Sequence, residues 1–141
     1  MNIRWTLPSD VSSVGDVRWA LRNVLEGAGS PLDESDAAAL VITELLANAI
    51  VHADCENGLV NVVIKSSDDQ IHIEVTDHNR CPPVQAENVR PDALSGRGLS
   101  IVDALSSSWG WDRVDDGNRV WCDVPRSGGS VVGRGGPLHV P

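Results

Sequence analysis

Apolar residues recur at helical spacing in two stretches near the start of the chain. In the first, valine and leucine occupy positions 14, 17, 21, 24 and 25, a period that predicts an amphipathic helix. Ser9 or Asp10 can cap the start of this helix, and Gly27, Gly29 and Pro31 end it. A second helix is predicted to follow, from the acidic residues at 33–36 to about position 53.

Apolar and polar residues alternate along several later segments, which is typical of strands with one buried face. Two such strands are joined by a polar turn at 66–69, and the second delivers the chain to Asp77. Another hairpin is predicted to turn at 115–118, and Pro8 ends a short edge strand. The predicted strands cover 2–7, 60–64, 71–75, 109–114 and 119–124.

Prolines and glycines mark two irregular segments. Residues 78–95 contain prolines that exclude a continuous helix or a central strand, and long loops of this kind usually have a function. A third helix is predicted at 99–105. Gly and Pro dominate the end of the chain, which predicts a folded domain at 1–125 and a flexible tail at 126–141.

The order of these elements predicts the fold class. Strands come mainly in adjacent pairs and do not alternate regularly with helices, so a doubly wound parallel sheet is excluded. The sequence predicts an α/β protein, a two-layer sandwich of a mixed, mainly antiparallel sheet with helices on one face. With 5 Trp and no Phe or Tyr in 141 residues, its core is expected to be aliphatic.

Composition excludes several classes of function. The net charge is -9 and the pI about 4.7, whereas direct nucleic-acid binding and anionic membranes require a basic surface. The N-terminus lacks the apolar core of a signal peptide, so a cytoplasmic protein is expected. The three cysteines lack zinc-site spacing, and we interpret Cys55, Cys81 and Cys122 as small buried residues of a reducing compartment.

The second helix is apolar nearly all round and is therefore predicted to be buried. Glu44, Asn48 and His52 follow each other at intervals of four, so they share one face of it. In one interpretation this stripe lines a cavity, with Glu44 as a general base and Asn48 as an oxygen ligand for Mg²⁺. In the other, Glu44 caps a loop and Asn48 bonds to neighbouring backbone. His52 is interpreted as a core histidine.

Other candidate residues also have a structural interpretation when taken singly. Asp77 can accept a hydrogen bond from an exocyclic amine such as that of adenine, or it can form a turn. The Gly96-Arg97-Gly98 segment can bring backbone N–H groups to a phosphate at a helix start, or it can be a flexible loop, with Arg97 on the phosphate or in solvent. The tryptophans are interpreted as core residues: Trp109, Trp111 and Trp121.

Taken together, these motifs resemble those of a known family. Glu44-Leu-Leu-Ala-Asn48-Ala, a hairpin ending at Asp77, and Gly96-Arg-Gly98-Leu before a helix resemble the N box and the two glycine boxes of the GHKL superfamily of ATPases and kinases. The resemblance spans about 11–125 and implies a Bergerat-type ATP-binding fold. The segment from Gly96 through the third helix resembles the stand-alone anti-sigma-factor serine kinases common in actinobacteria.

The resemblance implies roles for individual residues. Glu44 is the catalytic base that activates a serine of an anti-anti-sigma protein, Asn48 is the magnesium ligand, and Asp77 recognises adenine. The implied cofactors are ATP and Mg²⁺. The implied partners are a sigma factor and an anti-anti-sigma protein, and a homodimer is compatible with this family. The implied cofactor-binding residues are Asn48, Asp77, Gly96, Arg97, Gly98 and Leu99.

Two positions depart from the family pattern and favour an alternative function. The first glycine box usually reads Asp-x-Gly-x-Gly, but residues 78–81 contain no glycine. Arg119 stands where the family tends to have a threonine beside the adenine. The alternative is a non-catalytic protein-binding module with weak or lost ATP binding. A sensor histidine kinase fragment is disfavoured, because we find no helical segment with a phosphoacceptor histidine before the domain.

Overall fold

The structure is a computed structural model that describes residues 1–51, 58–78, 97–114 and 117–126. Five strands and three helices lie within these ranges. Their bounds agree with the predicted elements to within a few residues. In chain order they are β1 (Asn2–Pro8), α1 (Val11–Gly27), α2 (Leu32–Val51), β2 (Leu59–Ser66), β3 (Gln70–His78), α3 (Arg97–Leu105), β4 (Ser108–Val114) and β5 (Gly117–Pro125).

The strands form one five-stranded sheet in the order β1-β2-β3-β5-β4. All four neighbouring pairs are antiparallel, which confirms the mainly antiparallel sheet and places β1 at an edge. The β4–β5 turn is shorter than predicted, because Val114 pairs directly with Gly117. Gly117 and Asn118 therefore belong to β5.

Local signals set the ends of α1. Asp10 is the N-cap, and its side chain accepts a hydrogen bond from the backbone N–H of Ser12 at 3.3 Å. At the other end, Ser30 N–H donates to the Leu25 carbonyl. This closing turn passes through Gly29 at a φ of 88°, a conformation that glycine adopts without strain.

The core is aliphatic, as predicted, and lies between the sheet and the helices. α2 packs against α1 and α3 at its sides and against β3 and β5 beneath it. Cys122 is part of this core, and burial raises the pKa of its thiol to about 12. It is therefore the small buried residue that was expected, while Cys55 and Cys81 lie outside the described residues. Other core members are Val17, Leu21, Leu25, Ile42, Leu46, Val62, Ile64, Ile73 and Trp109.

The prediction that α2 is buried all round is wrong for its outer side. Leu40 is 44% exposed, and Glu44 and Asn48 are only half-buried. The reason is that the sheet, α1 and α3 leave one side of this central helix open within the described part of the chain. None of the described helices combines the length and apolar character needed to cross a membrane.

One face of the sheet packs against none of the described helices, and on this helix-free face polar side chains pair with one another. His72 lies 2.6 Å from Asp123 and 2.9 Å from Glu74, and these carboxylates, Asp123 above all, raise the pKa of the imidazole. Arg119 donates two hydrogen bonds to Asp112, at 3.0 and 2.6 Å. The polar groups on this face therefore have partners close at hand.

Two tryptophans show how the strand phase decides burial. Trp109 lies in the core, as predicted, and its indole N–H donates to Asp103 at 3.1 Å. Trp121 was predicted to be a core residue as well, but this is wrong. It lies between Val120 and Cys122, which face the helices, so its ring points to the opposite face of the sheet. There it stacks on the His72 ring, with the two ring centroids 6.0 Å apart.

Arg126, which the sequence assigned to the tail, is bound to the domain. Its guanidinium donates to Glu34 at 3.1 Å and to the Ser67 carbonyl at 2.9 Å. Its backbone N–H donates to the Asp69 carbonyl at 2.9 Å. The folded unit therefore reaches at least residue 126, while the predicted tail at 127–141 lies outside the described residues.

We expect Arg126→Ala to lower the free energy of unfolding by about 2 kcal/mol, because it removes a guanidinium from a buried carboxylate. Arg22→Ala is the matched control, since the Arg22–Asp36 pair is 2.6 Å long but exposed. It should cost less than about 0.5 kcal/mol. Urea unfolding of both variants measures the difference, and equal losses would contradict the structural role of Arg126.

Candidate functional site

The ion pair between Glu34 and Arg126 fixes the start of α2, and so determines which end of the sheet Glu44 and Asn48 of this helix reach. Glu34 binds Arg126, which follows β5 and contacts the β2–β3 turn. From Glu34 to Asn48 the helix rises by about 20 Å. Over a similar length, about 23 Å, β3 runs from Gln70 to Asp77. Because α2 packs on β3, Asn48 is brought to the end of the sheet where Asp77 lies.

Asp77 is a buried carboxyl group on the helix side of the sheet. Its side chain lies in phase with Ile73 and Val75 of the same strand, and it is only 4% exposed. Burial raises its pKa to about 6. The physical cause of this shift is that burial disfavours the charged form of the carboxyl. A carboxylate held in this way is suited to accept a hydrogen bond from a ligand.

Asn118 is the direct cross-strand neighbour of Asp77 on β5. It is 6% exposed, and its Oδ1 atom is buried without a hydrogen-bond partner in the described structure. The sequence analysis missed this residue because it placed Asn118 in the turn. Its spacing of two from Val120 and four from Cys122 was the signal that could have found it.

Arg119 does not occupy the position beside the adenine that the sequence comparison assigned to it. Residues 118 and 119 alternate across the sheet, so Arg119 lies on the helix-free face, bound to Asp112. The side chain next to Asp77 is therefore Asn118. His78 also points away from Asp77, because its imidazole lies 2.6 Å from Asn61 on the helix-free face.

Asn48 adds a third polar group at this end of the sheet. Its Nδ2 atom is buried and has no hydrogen-bond partner among the described residues. The interpretation in which the amide bonds only to neighbouring backbone leaves this donor unexplained. Thr43 on the same helix contrasts with it, since its hydroxyl donates to the Ala39 carbonyl at 2.7 Å. Glu44 lies one turn before Asn48 and is half-buried.

The predicted phosphate loop is described only in part. α3 begins at Arg97, two residues earlier than predicted, so Arg97, Gly98 and Leu99 form its first turn. Gly96 and His52 lie outside the described residues, as does the remainder of the altered glycine box after His78. Contacts of these residues with a phosphate therefore stay a prediction.

Among the described residues, four buried side-chain atoms have no hydrogen-bond partner: Ser9 Oγ, Asn48 Nδ2, Ser106 Oγ and Asn118 Oδ1. A buried donor or acceptor that lacks a hydrogen bond costs roughly 1–3 kcal/mol, and such groups in native proteins usually have a ligand or a functional role. Two of them, the Asn118 carbonyl and the Asn48 amino group, lie at the end of the sheet that also carries the buried Asp77 carboxyl. The arrangement presents two acceptors and an amide to a ligand.

Comparison with known protein families matches residues 7–123 to the histidine kinase-like ATPase domain. The chain belongs to this family. Its recognition as a GHKL-type ATPase domain from the three motifs is thus confirmed. Among curated relatives, the serine-protein kinase RsbW of Staphylococcus aureus is 30% identical over 117 residues, covering 73% of this chain and 74% of the relative. The Staphylococcus epidermidis RsbW is 26% identical with the same coverage.

Two solved structures share the fold of this chain. The RsbU and RsbW domains of Rv1364c from Mycobacterium tuberculosis match with a TM-score of 0.67 at 18% identity, covering 100% of this chain and 34% of that one. This chain thus spans about a third of the Mycobacterium chain. The SiaB–SiaC complex from Pseudomonas aeruginosa matches with a TM-score of 0.66 at 16% identity, covering 87% and 88%. Both confirm the predicted α/β sandwich.

We expect Asp77→Asn to stabilise the nucleotide-free protein at neutral pH. Burial raises the pKa of Asp77 from its ordinary value of 3.8 to about 6 in the folded chain, so the carboxyl keeps its proton to a higher pH than in the unfolded chain. Its ionisation therefore lowers the stability as pH rises from about 4 to 6. The variant should match the wild type below pH 4 and exceed it by about 2–3 kcal/mol at pH 8.

Urea unfolding between pH 3.5 and about pH 8 measures this difference. Asp68→Asn, in the exposed β2–β3 turn, controls for the loss of one charge. A constant difference between Asp77→Asn and the wild type across the pH range would contradict the burial of an unpaired carboxyl.

Proposed function

We propose that this chain is an ATP-dependent serine kinase that phosphorylates an anti-anti-sigma protein and sequesters a sigma factor. Its membership of the histidine kinase-like ATPase family and its homology to the serine-protein kinases RsbW support the proposal. The observation that carries it is the group of polar side chains at one end of the sheet: the buried Asp77 carboxyl and the unpartnered amide atoms of Asn118 and Asn48. We place this activity in the cytoplasm.

The adenine end of the site is assigned to Asp77. Above pH 6 its buried carboxylate can accept a hydrogen bond from the exocyclic amine of adenine, which would offset the cost of burying it. The aliphatic core next to it, including Val60 and Val75, offers an apolar surface for the purine ring. The buried carboxyl and its apolar surroundings thus fit an adenine.

The phosphate end is assigned to Asn48 and the start of α3. Mg²⁺ in nucleotide sites is held by one or two protein oxygens together with the phosphates, so the Asn48 carbonyl oxygen suffices as a protein ligand. No cluster of three His, Cys, Asp or Glu side chains suited to a metal occurs in the described residues. The helix N-terminus at Arg97 and Gly98, with Gly96 and Leu99, is proposed to bind phosphate oxygens.

Glu44 is assigned the role of general base. Its partial exposure differs from the burial predicted from sequence, and it suits a protein substrate, because a serine presented by another protein can reach it. Glu44 would take the proton from the serine hydroxyl as the oxygen bonds to the γ-phosphorus and ADP leaves. Asn48, one turn further along α2, would hold Mg²⁺ through its side-chain oxygen, and the metal would neutralise phosphate charge.

A second candidate function is a binding module that holds its partner without phosphorylating it. The observation that favours it is the stretch His78-Asn79-Arg80-Cys81, where the family usually has glycines. Larger side chains there could narrow the adenine site. His78 itself is turned away towards Asn61, which favours an open site at this position.

We expect the purified chain to bind one ATP in a magnesium-dependent manner, because the buried Asp77 carboxyl and the unpartnered amide atoms of Asn118 and Asn48 lie at the same end of the sheet. Isothermal titration calorimetry with MgATP, and with ATP plus a chelator, measures this. Asn48→Ala should weaken binding about tenfold, and chelation should have little further effect on that variant. Absence of heat and of a thermal shift at millimolar MgATP would contradict the kinase and favour the binding module.

Glu44→Gln should retain ATP binding and lose phosphotransfer by at least about a hundredfold, as expected for a general base. Radiolabelled ATP and an extract of the source organism provide the assay, with the phosphorylated serine located by mass spectrometry. Glu26→Gln, exposed at the end of α1, is the matched control and should behave like the wild type. Phosphotransfer at the wild-type rate, or loss of ATP binding, would contradict this role of Glu44.

A further inference from the structure

We propose that Trp19 on α1 and Leu40 on α2 form an apolar docking patch for the protein substrate of the kinase. The patch receives an apolar side chain that lies two residues from the serine to be phosphorylated. This inference rests on the proposed function, and it assigns a role to exposed residues that the sequence motifs did not include.

An ion pair sets the register between α1 and α2. The two helices are joined by residues 28–31 and pack on each other, so they run antiparallel. Arg22 and Asp36 bridge them, with 2.6 Å between the guanidinium nitrogen and the carboxylate oxygen. About one turn further from the connecting loop, Trp19 is therefore level with Leu40.

Both side chains of the patch are large, apolar and exposed. Trp19 is 70% exposed and Leu40 is 44% exposed. Trp19 lies two positions from both Val17 and Leu21, which face the core, so it points away from the core. Exposed apolar side chains that adjoin each other mark contacts with other proteins, and tryptophan is enriched among the residues that carry most of the binding energy.

Gly15 keeps the surface of α1 low, one turn beyond Trp19. Glycine inside a helix costs stability relative to other residues. A Cβ atom at this position would meet nothing in the described structure closer than the end of the Arg18 side chain, at 4.0 Å. By the same register Gly15 is level with Glu44 on α2. The glycine therefore leaves room for another protein to approach the proposed base.

The position of Leu40 on α2 points to the substrate as the occupant of the patch. Leu40 lies one turn before Glu44 on the open side of the same helix, and four helical residues rise by about 6 Å. Two residues of an extended chain span about 6–7 Å, and their side chains point to the same side. An extended segment that brings its serine to Glu44 therefore lays the side chain two residues away on Leu40.

The charge around the patch narrows the substrate further. Acidic side chains outnumber basic ones on the outer sides of α1 and α2. The acidic ones are Asp16, Glu26, Asp33, Asp36 and Glu44, and the basic ones are Arg18 and Arg22. The whole chain also has a net charge of -9. Complementary charge favours a substrate segment with lysine or arginine near its apolar residue.

The phosphorylation assay with radiolabelled ATP and an extract identifies the substrate protein and its serine, and that protein, once purified, is the probe. Leu40→Ala and Trp19→Ala should each raise the KM for it about tenfold. The kcat and the affinity for MgATP should change by less than about twofold, because docking contributes equally to the ground state and the transition state. Leu32→Ala is the matched control, a 63% exposed leucine two turns before Leu40, and should behave like the wild type.

Gly15→Gln separates docking from stability. Glutamine favours a helix more than glycine does, and the space at this position is open. The variant should therefore have a higher midpoint of thermal unfolding than the wild type, and still raise the KM for the substrate protein at least about tenfold by filling the approach to Glu44. A higher midpoint with an unchanged KM would contradict the inference.

A double-mutant cycle locates the residue that occupies the patch. Replacement by alanine of the substrate residue two positions from the serine should raise KM about tenfold, and Leu40→Ala should then add less than about twofold. If the wild type phosphorylates a protein but the two effects multiply, or Leu40→Ala leaves KM unchanged, the inference is wrong and the kinase stands. If the wild type phosphorylates no protein in the extract, the proposed function fails and the inference with it.

Discussion

The packing of α2 against the sheet is the constraint on which the rest of the structure depends. This helix contacts α1, α3, β3 and β5, and the Glu34–Arg126 ion pair holds its first turn at one end of the sheet. The stretch of α2 from Glu34 to Asn48 is about as long as the stretch of β3 from Gln70 to Asp77. This anchor therefore sets the end of the sheet at which Asn48 lies. A helix shifted by one turn would move Asn48 by about 5 Å relative to Asp77.

The two faces of the sheet treat polar residues differently, and the contrast defines the site. On the helix-free face His72, Asp123, Arg119 and Asp112 pair with each other, so the face is satisfied without a ligand. On the helix side Asp77 lies beside an aliphatic core, where nothing in the described structure compensates its burial. Groups that cost stability in this way are expected at functional sites rather than in a core chosen for stability alone.

Membership of the histidine kinase-like ATPase family explains why such a costly arrangement is built on this fold. The open side of α2 exposes Glu44 while the sheet buries Asp77, so one helix and one strand supply an accessible group and an inaccessible one to the same end of the molecule. The roles proposed for Glu44 and Asp77, a base that meets another protein and a residue that reads a purine, have opposite requirements for solvent. The layer arrangement meets both.

Periodicity in the sequence was enough to determine the elements and the candidate residues on them. The three-to-four-residue repeat of α1 and α2, and the alternation in β2 and β3, come from the local geometry of helix and strand, and they placed Glu44, Asn48 and Asp77 correctly on their elements. The fold class followed from the order of these elements. An anchored Arg126 could not be foreseen, because its partner Glu34 is distant in sequence.

Only the tertiary structure decided what each side chain faces. Glu44 was expected to be buried, but burial depends on which neighbours cover the helix, and no local pattern records that. In β5, the pairing of Val114 with Gly117 shortened the turn and set the strand's phase. A shift of one residue exchanges the two faces of a strand. That is why Trp121 and Arg119 lie outside the core and why Asn118, which the sequence alone had placed in a turn, lies beside Asp77.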